Sequence, residues 1–518
     1  MHTITEVRMP KFTRIGLAGV VALSIGAQAA WAGKRDDNFV WTTDRETAVV
    51  DPYYNNTREL TVIGELVWDG LLSRDTSGKI VPGLATSWKW VDNKTIEAEL
   101  RDDAKFHDGT PVDADDVVYT LNFAADKKNG VLTYSTVSWI DNVEKLAANK
   151  VRINLKKPFP AALDYLANSC KIVPKGHYDK APVKADGKKD YSAVKPVGSG
   201  PYKVAEVKPG AFIKMVKNDA YFKGKPHFGK IRFRTIKDKQ TQIAELLTGG
   251  VNWIWDVPKD QAERLKDTGQ VEVKNAKTLR VSYLQFDAKG RSGNKIFTDK
   301  RLRQAVGYAV NREAIAKNLV GEASEVVNAP CHPEQFGCTP DVTKDVPRFT
   351  YDPAKARALL KEAGHPDGFS VDLYAYRERQ FTEAVIGDLA KVGIRARLNF
   401  MQFRALRDKV RKGEVVFDHM TWGSGSIPDA SAMVNVYFTG GPDDLTQDKE
   451  VIELADEAGS SVDPEMRKTL YNKLFKRIAN EAYWIPMFTY AKYYAWSKDV
   501  NFTPTSDEIP RFALASWK

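Results

Sequence analysis

The stretch from Trp68 to Leu121 constrains the fold more than any other part of this sequence, because a patterned strand leads directly into a capped helix. Ile96, Ala98 and Leu100 alternate with charged residues, which is the period-two pattern of a half-buried strand. Asp-Gly-Thr-Pro at residues 108–111 then predicts a turn, since glycine accepts positive φ and proline fixes its own φ.

The helix after this turn is predicted from its first residues. Asp113 is placed as the N-cap, and Asp116 meets the positive end of the helix dipole. Val117 and Leu121 supply the buried side. The acids of this segment therefore read as caps in a scaffold rather than as catalytic groups.

The same stretch resembles a known family signature. It reads GLLSRD and PGLATSW, followed by LRDDAKFHDGTPVDADDVVYTL, and is similar to the family 5 extracellular solute-binding proteins. These are the substrate-binding components of ABC importers for peptides, nickel, haem and opines. Gly-Ser-Gly-Pro-Tyr at 198–202 and Arg-Gln-Ala at 303–305 continue the family order. The resemblance implies an α/β fold of the class II periplasmic-binding-protein type, with two lobes and an extra inserted domain.

The domain organisation is likewise implied by the resemblance, with a hinge where the chain crosses between lobes near Tyr283 and Met487. The expected domains are domain I (33–75, 198–283 and 488–518), domain II (76–197, inserted) and domain III (284–487).

Strands alternate with helices in the last third of the chain. Asp352 and Pro353 begin a helix as N-cap and first helical residue. Strand patterns at 369–375, 394–400 and 415–422 alternate with helical ones. This order predicts βαβ units and a largely parallel sheet.

Residues 1–32 are predicted to be a signal peptide. A basic segment precedes a short apolar run at 15–27, and Ala30-Trp31-Ala32 supplies a small-x-small cleavage pattern. An uncleaved anchor is the alternative, but the run is short for a bilayer. We expect cleavage after Ala32, with export of the mature chain to the periplasm.

The charge of the chain limits the classes of partner that it is expected to bind. The formal net charge is +10, yet lysines and arginines are interspersed with 67 acids and form no dense basic tract or nucleic-acid motif. Nucleic acid is therefore not an expected partner, and the charge supports only weak attraction to anionic ligands or surfaces.

Three cysteines are present. Cys331 and Cys338 lie in one short loop, which favours a disulfide in an exported protein. A metal site with His332 is the alternative, although two cysteines and one histidine form an incomplete zinc set. Cys170 lies in an apolar stretch and is expected to be a buried free thiol.

Two strand ends are candidate ligand sites, because ligands of open α/β sheets bind beyond the carboxyl ends of strands. The first candidate group lies at the end of the strand predicted at 369–375 and comprises Tyr374, Tyr376, Arg377 and Arg379. Arginine offers a planar fork for carboxylate or phosphate, and some dipeptide-binding relatives place an arginine hereabouts. A solvated helix start is the alternative.

The second strand end is Trp422-Gly423-Ser424-Gly425, where small residues let a ligand approach the backbone. Peptide-binding relatives have a W-x-x-D pattern whose Asp holds the peptide ammonium. This chain has Gly425 there, and Asp429 is displaced by four residues.

A third segment, Asn55, Asn56 and Thr57, corresponds in the family to a loop over the ligand cleft, with a solvated turn as the alternative.

The function implied by the resemblance is non-catalytic capture of a solute between two lobes and its delivery to the membrane permease of an ABC importer. An exported hydrolase is the alternative, but the sequence has neither an HExxH nor a GxSxG motif. We expect a monomer that uses no cofactor. No metal is expected at the lone strand histidine, His419.

Overall fold

A computed structural model describes residues 33–518 of the chain. The predicted signal peptide, residues 1–32, lies outside the described residues. Across residues 33–518, no helix combines the length and the apolar character that crossing a membrane requires.

The described chain contains 18 β-strands and 14 α-helices. The strands are β1 (Asn38–Thr43), β2 (Leu72–Arg74), β3 (Ile80–Pro82), β4 (Ala85–Asp92), β5 (Thr95–Leu100), β6 (Ile140–Ala147), β7 (Lys150–Leu155), β8 (Tyr202–Lys208), β9 (Phe212–Lys217), β10 (Lys230–Thr235), β11 (Trp253–Ile254), β12 (Val271–Phe286), β13 (Phe369–Ala375), β14 (Ile394–Phe400), β15 (Phe417–Trp422), β16 (Trp484–Ser497), β17 (Val500–Asn501) and β18 (Ser516–Trp517). The α-helices are α1 (Arg58–Val67), α2 (Ala114–Ala125), α3 (Ala162–Asn168), α4 (Lys239–Leu247), α5 (Lys259–Thr268), α6 (Lys300–Ala309), α7 (Arg312–Ile315), α8 (Pro340–Thr343), α9 (Pro353–Glu362), α10 (Arg379–Ala390), α11 (Phe403–Arg411), α12 (Ser431–Tyr437), α13 (Lys449–Ser460) and α14 (Pro464–Asn480).

A ten-stranded sheet runs through the molecule in the order β14-β13-β15-β12-β16-β11-β1-β10-β9-β8. The pairs of β13 with β14 and β15, and of β1 with β10 and β11, are parallel, as the βαβ pattern predicts. The other neighbouring pairs are antiparallel. The prediction of a largely parallel sheet is confirmed for β13, β14 and β15, on which it was based, but it was wrong for the sheet as a whole. The chain crosses between the two halves of the sheet on one strand and returns on its neighbour, and β9 also pairs antiparallel with β8 and β10.

Those two crossing strands are β12 and β16, which pair along most of their length. Both predicted hinge residues lie on them, and Tyr283 is paired with Pro486. The register shifts between Lys277 and Val281 and again between Val281 and Tyr283. Such irregularities interrupt the ladder and bend a strand locally.

The helix starts predicted from the sequence are confirmed. Asp113 accepts from the backbone N–H groups of Asp115 and Asp116, and Asp116 returns the bond in a capping box. Asp352 caps α9, with Pro353 at its first position. These caps satisfy amide groups that the helix itself leaves unpaired.

A second sheet, β4-β5-β7-β6, packs against α2 in the segment 76–197. The Gly-Ser-Gly-Pro-Tyr turn follows this segment and passes very close to the end of α1. A Cβ at Gly198 or Gly200 would collide with the backbone of Val67. The turn needs glycine at both positions because of this close approach.

Candidate functional site

A pocket of about 710 Å³ opens where three parts of the chain meet. One wall is the start of α1, with Asn56 and Arg58, and another is the end of α3, with Asn168. The third wall is formed by the ends of β13 and β15, with Arg377 and Trp422. We refer to this pocket as the cleft.

Seven of the predicted site residues line the cleft, although they come from three distant segments. They are Asn55, Asn56, Tyr376, Arg377, Trp422, Gly423 and Gly425. Their orientation is fixed by local hydrogen bonds. The Tyr376 hydroxyl lies 2.8 Å from Oγ1 of Thr421, and the indole N–H of Trp422 donates to the carbonyl of Ala432 at 3.2 Å.

Three further predicted residues lie outside the cleft lining, because each makes contacts elsewhere in the protein. Thr57 is the N-cap of α1, where its hydroxyl accepts from the N–H of Leu60. Tyr374 packs against the hydrophobic core behind the sheet. Arg379 is exposed on α10 and pairs with Glu383 at 2.7 Å. Arg379 thus occupies the solvated helix start that the sequence left open as an alternative.

Ser424 and Asp429 also lie outside the cleft lining, because both are buried behind it. Asp429 is paired with Arg467 of α14, with Nη2 and Oδ1 2.9 Å apart. The acid nearest in sequence to the family's ammonium-binding position is therefore already neutralised.

The cleft is lined by cations. The basic residues are Arg45, Arg58, Lys171, Arg280, Arg377 and Arg404. None of the described residues that line the cleft is an aspartate or a glutamate. Such a surface attracts anions and disfavours a bound ammonium group.

A buried carboxylate, Glu508, holds two of these cations in place together with a third, Lys492, which lies outside the cleft lining. Its oxygens lie 3.1 Å from Arg280, 3.0 Å from Lys492 and 3.6 Å from Arg58. Burial opposes the ionisation of Glu508, but the three cations outweigh it and hold its pKa well below the usual range. Glu508 therefore stays ionised and fixes the guanidinium groups beneath the cleft.

Arg377 is positioned by a second pair of acids. Its Nε donates to Glu378 at 2.6 Å, and Nη2 lies 3.8 Å from Asp256. Burial opposes the charge of Asp256, yet Lys492 and Arg377 lower its pKa below the usual value. By contrast, the side chains of Arg45 and Arg404 make no ion pair with any residue between 33 and 518 and are exposed in the cleft.

Residues 79–444 match the model of the bacterial extracellular solute-binding proteins, family 5 Middle. The chain belongs to this family. Its members are solute-binding proteins of ABC importers rather than enzymes, which confirms the family and the general function inferred from the sequence.

Curated relatives match most of the chain. The glutathione-binding protein GsiB of Escherichia coli K12 is 28% identical over 508 residues, covering 93% of this chain and 95% of GsiB. The oligopeptide-binding protein AppA of Bacillus subtilis 168 is 27% identical over 403 residues, covering 74% of this chain and 73% of AppA.

A solved structure confirms the fold class. The binding protein AgaA of A. tumefaciens R10, in complex with agropinic acid, is 26% identical to this chain and has a TM-score of 0.76. The alignment covers 93% of this solute-binding protein and 99% of AgaA.

In this solute-binding protein the two sides of the cleft touch each other at its edge. The amide of Asn168 donates to the carbonyl of Gly425 at 3.0 Å. Arg58 also donates to the hydroxyl of Ser426, and Lys157 of the segment 76–197 pairs with Asp456 of α13. The structure therefore shows the cleft with its walls in contact.

Several lining residues could not be found from the sequence. Arg58 stands in the first turn of α1, where it resembles an ordinary surface charge, and Arg280 stands inside a strand. Neither belongs to a local motif. The fold brings them together through Glu508, which is more than two hundred residues further along the chain.

Proposed function

We propose that this solute-binding protein is exported to the periplasm and captures an anionic solute in the cleft, for delivery to the permease of its ABC importer. One observation carries the proposal: six cations line the cleft, and no acid does so among the described residues. A carboxylate or phosphate group matches this surface, since arginine binds both through paired hydrogen bonds.

The solute carries no buried free ammonium group. Gly425 leaves the family's ammonium-binding position without a carboxylate, and Asp429 is committed to Arg467. An ammonium group buried among arginines without a counter-charge would cost several kcal/mol. The amine of the solute is therefore absent, blocked or solvated, as in an opine, a modified peptide or a sugar derivative.

Two relatives bear on the carboxylate part of the proposal only, because glutathione also carries a free ammonium group, which would remain solvated in this cleft. GsiB is named as a glutathione-binding protein, and AgaA holds agropinic acid. Both compounds carry carboxylates. These names support the carboxylate part of the proposal, while the charge of the cleft supports it independently.

The cleft closes by motion of two lobes about β12 and β16. The lobes are domain I (33–75, 198–283 and 488–518) with the inserted domain II (76–197), and domain III (284–487). Contacts such as Asn168 with Gly425 form only when the lobes meet, so a solute that binds both lobes favours the closed state. The protein acts as a monomer without a cofactor.

The decisive experiment is mass spectrometry of small molecules released from protein purified from its native host. Calorimetry then compares free-amine dipeptides with their N-acetylated forms, agropinic acid and glutathione. The proposal expects an anionic solute and tighter binding of the blocked peptides. Submicromolar binding of free-amine peptides that is lost on N-acetylation would overturn it.

A further inference from the structure

The wall of the cleft that contains Gly423 and Gly425 has an unusual backbone. Three consecutive residues, Ser424, Gly425 and Ser426, have φ of 52°, 56° and 66°. Only glycine adopts this left-handed region without a penalty, so the two serines are held there against their own preference. Strained backbone of this kind persists only where surrounding contacts impose it.

A neighbouring loop, residues 331–338, holds the residues that directly follow the strained ones, and it does so through Gln335. The buried amide of Gln335 donates to the carbonyl of Ile427 at 2.8 Å and to that of Asp429 at 3.3 Å. Its own side-chain oxygen accepts from the N–H of His332 at 2.8 Å. One side chain therefore joins the 331–338 loop to the segment directly behind the strained residues.

Backbone hydrogen bonds extend the same junction. The N–H of Phe336 donates to the carbonyl of Pro428 at 3.0 Å, and the N–H of Ala430 donates to the carbonyl of Phe336 at 2.9 Å. Arg467 stacks over the ring of Phe336 at 4.5 Å. Residues 427–430 are thus held by the 331–338 loop, which is not part of the cleft lining.

The 331–338 loop is itself closed covalently. Cys331 and Cys338 are joined by a disulfide, with their Cα atoms 6.0 Å apart, and both are buried. A cross-link between positions so close in sequence restricts the conformations open to the residues it encloses. Gln335 therefore sits on a constrained platform rather than on a free loop.

We infer that Gln335 is a positioning residue for solute binding, and that the Cys331–Cys338 disulfide sets the affinity of the cleft by fixing the wall at Gly423–Gly425. This inference rests on the proposed function, because it takes that wall to contact the solute. Gln335 lies behind the wall and acts on the solute only through it.

The test compares Gln335→Leu with a matched variant, Gln242→Leu. Gln242 is also fully buried, and its amide donates to the carbonyl of Ile236 at 2.6 Å. It lies on α4, far in sequence from the 423–430 segment. Both changes remove a buried amide from a backbone carbonyl and lower stability by the same mechanism. Only Gln335→Leu should disturb the cleft.

The first readout is hydrogen exchange of residues 423–430 in the absence of any solute. We expect exchange about tenfold faster in Gln335→Leu, with the rate in Gln242→Leu equal to that of the wild type. Reduction of the disulfide in the folded wild-type protein should give the same local acceleration. If Gln335→Leu does not fold, the exchange rate of the reduced wild-type protein tests the inference instead. Unchanged exchange in the folded Gln335→Leu variant, or in the reduced protein, would overturn the inference.

The second readout is the affinity for glutathione and agropinic acid, measured by calorimetry. Gln335→Leu should weaken whichever probe the wild type binds by about tenfold, and Gln242→Leu should leave it unchanged. Equal weakening in both variants would mean a general loss of stability and would refute a positioning role. If neither probe binds the wild type, the proposed solute class loses support, while the exchange data still decide the inference.

Discussion

Asp429 and Arg467 form a buried ion pair, with Oδ1 and Nη2 2.9 Å apart. The N–H of Ser431 also donates to Oδ1, and Nε of Arg467 donates to the carbonyl of Ala458. Rotating Asp429 into the cleft would leave the guanidinium buried without its counter-charge. The pair therefore neutralises the acid that is nearest in sequence to the missing ammonium-binding aspartate.

The first prediction concerns this pair. Asp429→Asn should lower the free energy of unfolding by about 3 kcal/mol, because it leaves Arg467 buried and uncompensated. The affinity ratio between free-amine and N-acetylated peptides should not change. Urea denaturation and calorimetry measure the two effects. Asp456→Asn, which breaks an exposed pair with Lys157, serves as the control and should change stability little. A selective loss of free-amine binding in Asp429→Asn would assign Asp429 to the site.

Two neighbouring arginines should behave differently. Arg377 lines the cleft, whereas Arg379 is exposed on α10 with Glu383 as its partner. Arg377→Ala should weaken binding of agropinic acid or glutathione by at least about tenfold, since it removes a partly desolvated cation facing the anion. Arg379→Ala should leave the affinity unchanged. Calorimetry with both variants tests this, and equal effects of the two changes would contradict the assignment.

Closure should depend on Asn168. Its amide reaches the carbonyl of Gly425 across the cleft. In small-angle scattering, a saturating solute should reduce the radius of gyration of the wild type, and Asn168→Ala should need a higher solute concentration for the same compaction. An identical radius with and without solute would argue against closure as the binding step.

The thiol count tests the cysteine assignment. The disulfide of Cys331 with Cys338 leaves Cys170 as a buried thiol, and burial raises the pKa of Cys170 to about 12. Unfolded, unreduced protein should therefore titrate one thiol, and reduced protein three. Three thiols before reduction would disprove the bond.

Stability should fall in mild acid because of buried histidines. His419 lies between Ser282 and Thr382, and burial lowers its pKa to about 4. The unfolded chain has a histidine pKa near 6.5. Between these values only the unfolded state binds the proton, so stability is lost as the pH falls from about 6.5 towards 4.

The measurement for His419 is the slope of the unfolding free energy against pH. In His419→Gln, proton uptake on unfolding near pH 5 should decrease by about one proton, and the slope should flatten accordingly. Equal slopes in the variant and the wild type would show that His419 is not buried in its neutral form.

Helix starts and several strands could be predicted from the sequence, because they depend on residues that are neighbours in the chain. Asp113 and Asp352 mark helix starts because a cap needs only a side-chain oxygen and the amides of the next few residues. Alternation predicted β5 and β13 for a similarly local reason. It was less accurate for β14, where Ile394, Ala396, Leu398 and Phe400 alternate as one apolar face in the sequence, but Phe400 is exposed. That strand is the edge of the sheet, so its last residues have fewer neighbours to cover them.

The sequence by itself determined the family, the fold class and the segments that contribute to the cleft, since motifs and hydrophobic periods are properties of neighbouring residues. Only the tertiary structure decided which of those side chains face the cleft. Arg377 and Arg379 are two residues apart, yet one lines the cleft and the other pairs with Glu383. Charge pairing acts through space, and the partners that orient Arg58 and Asp429 lie far away in the chain.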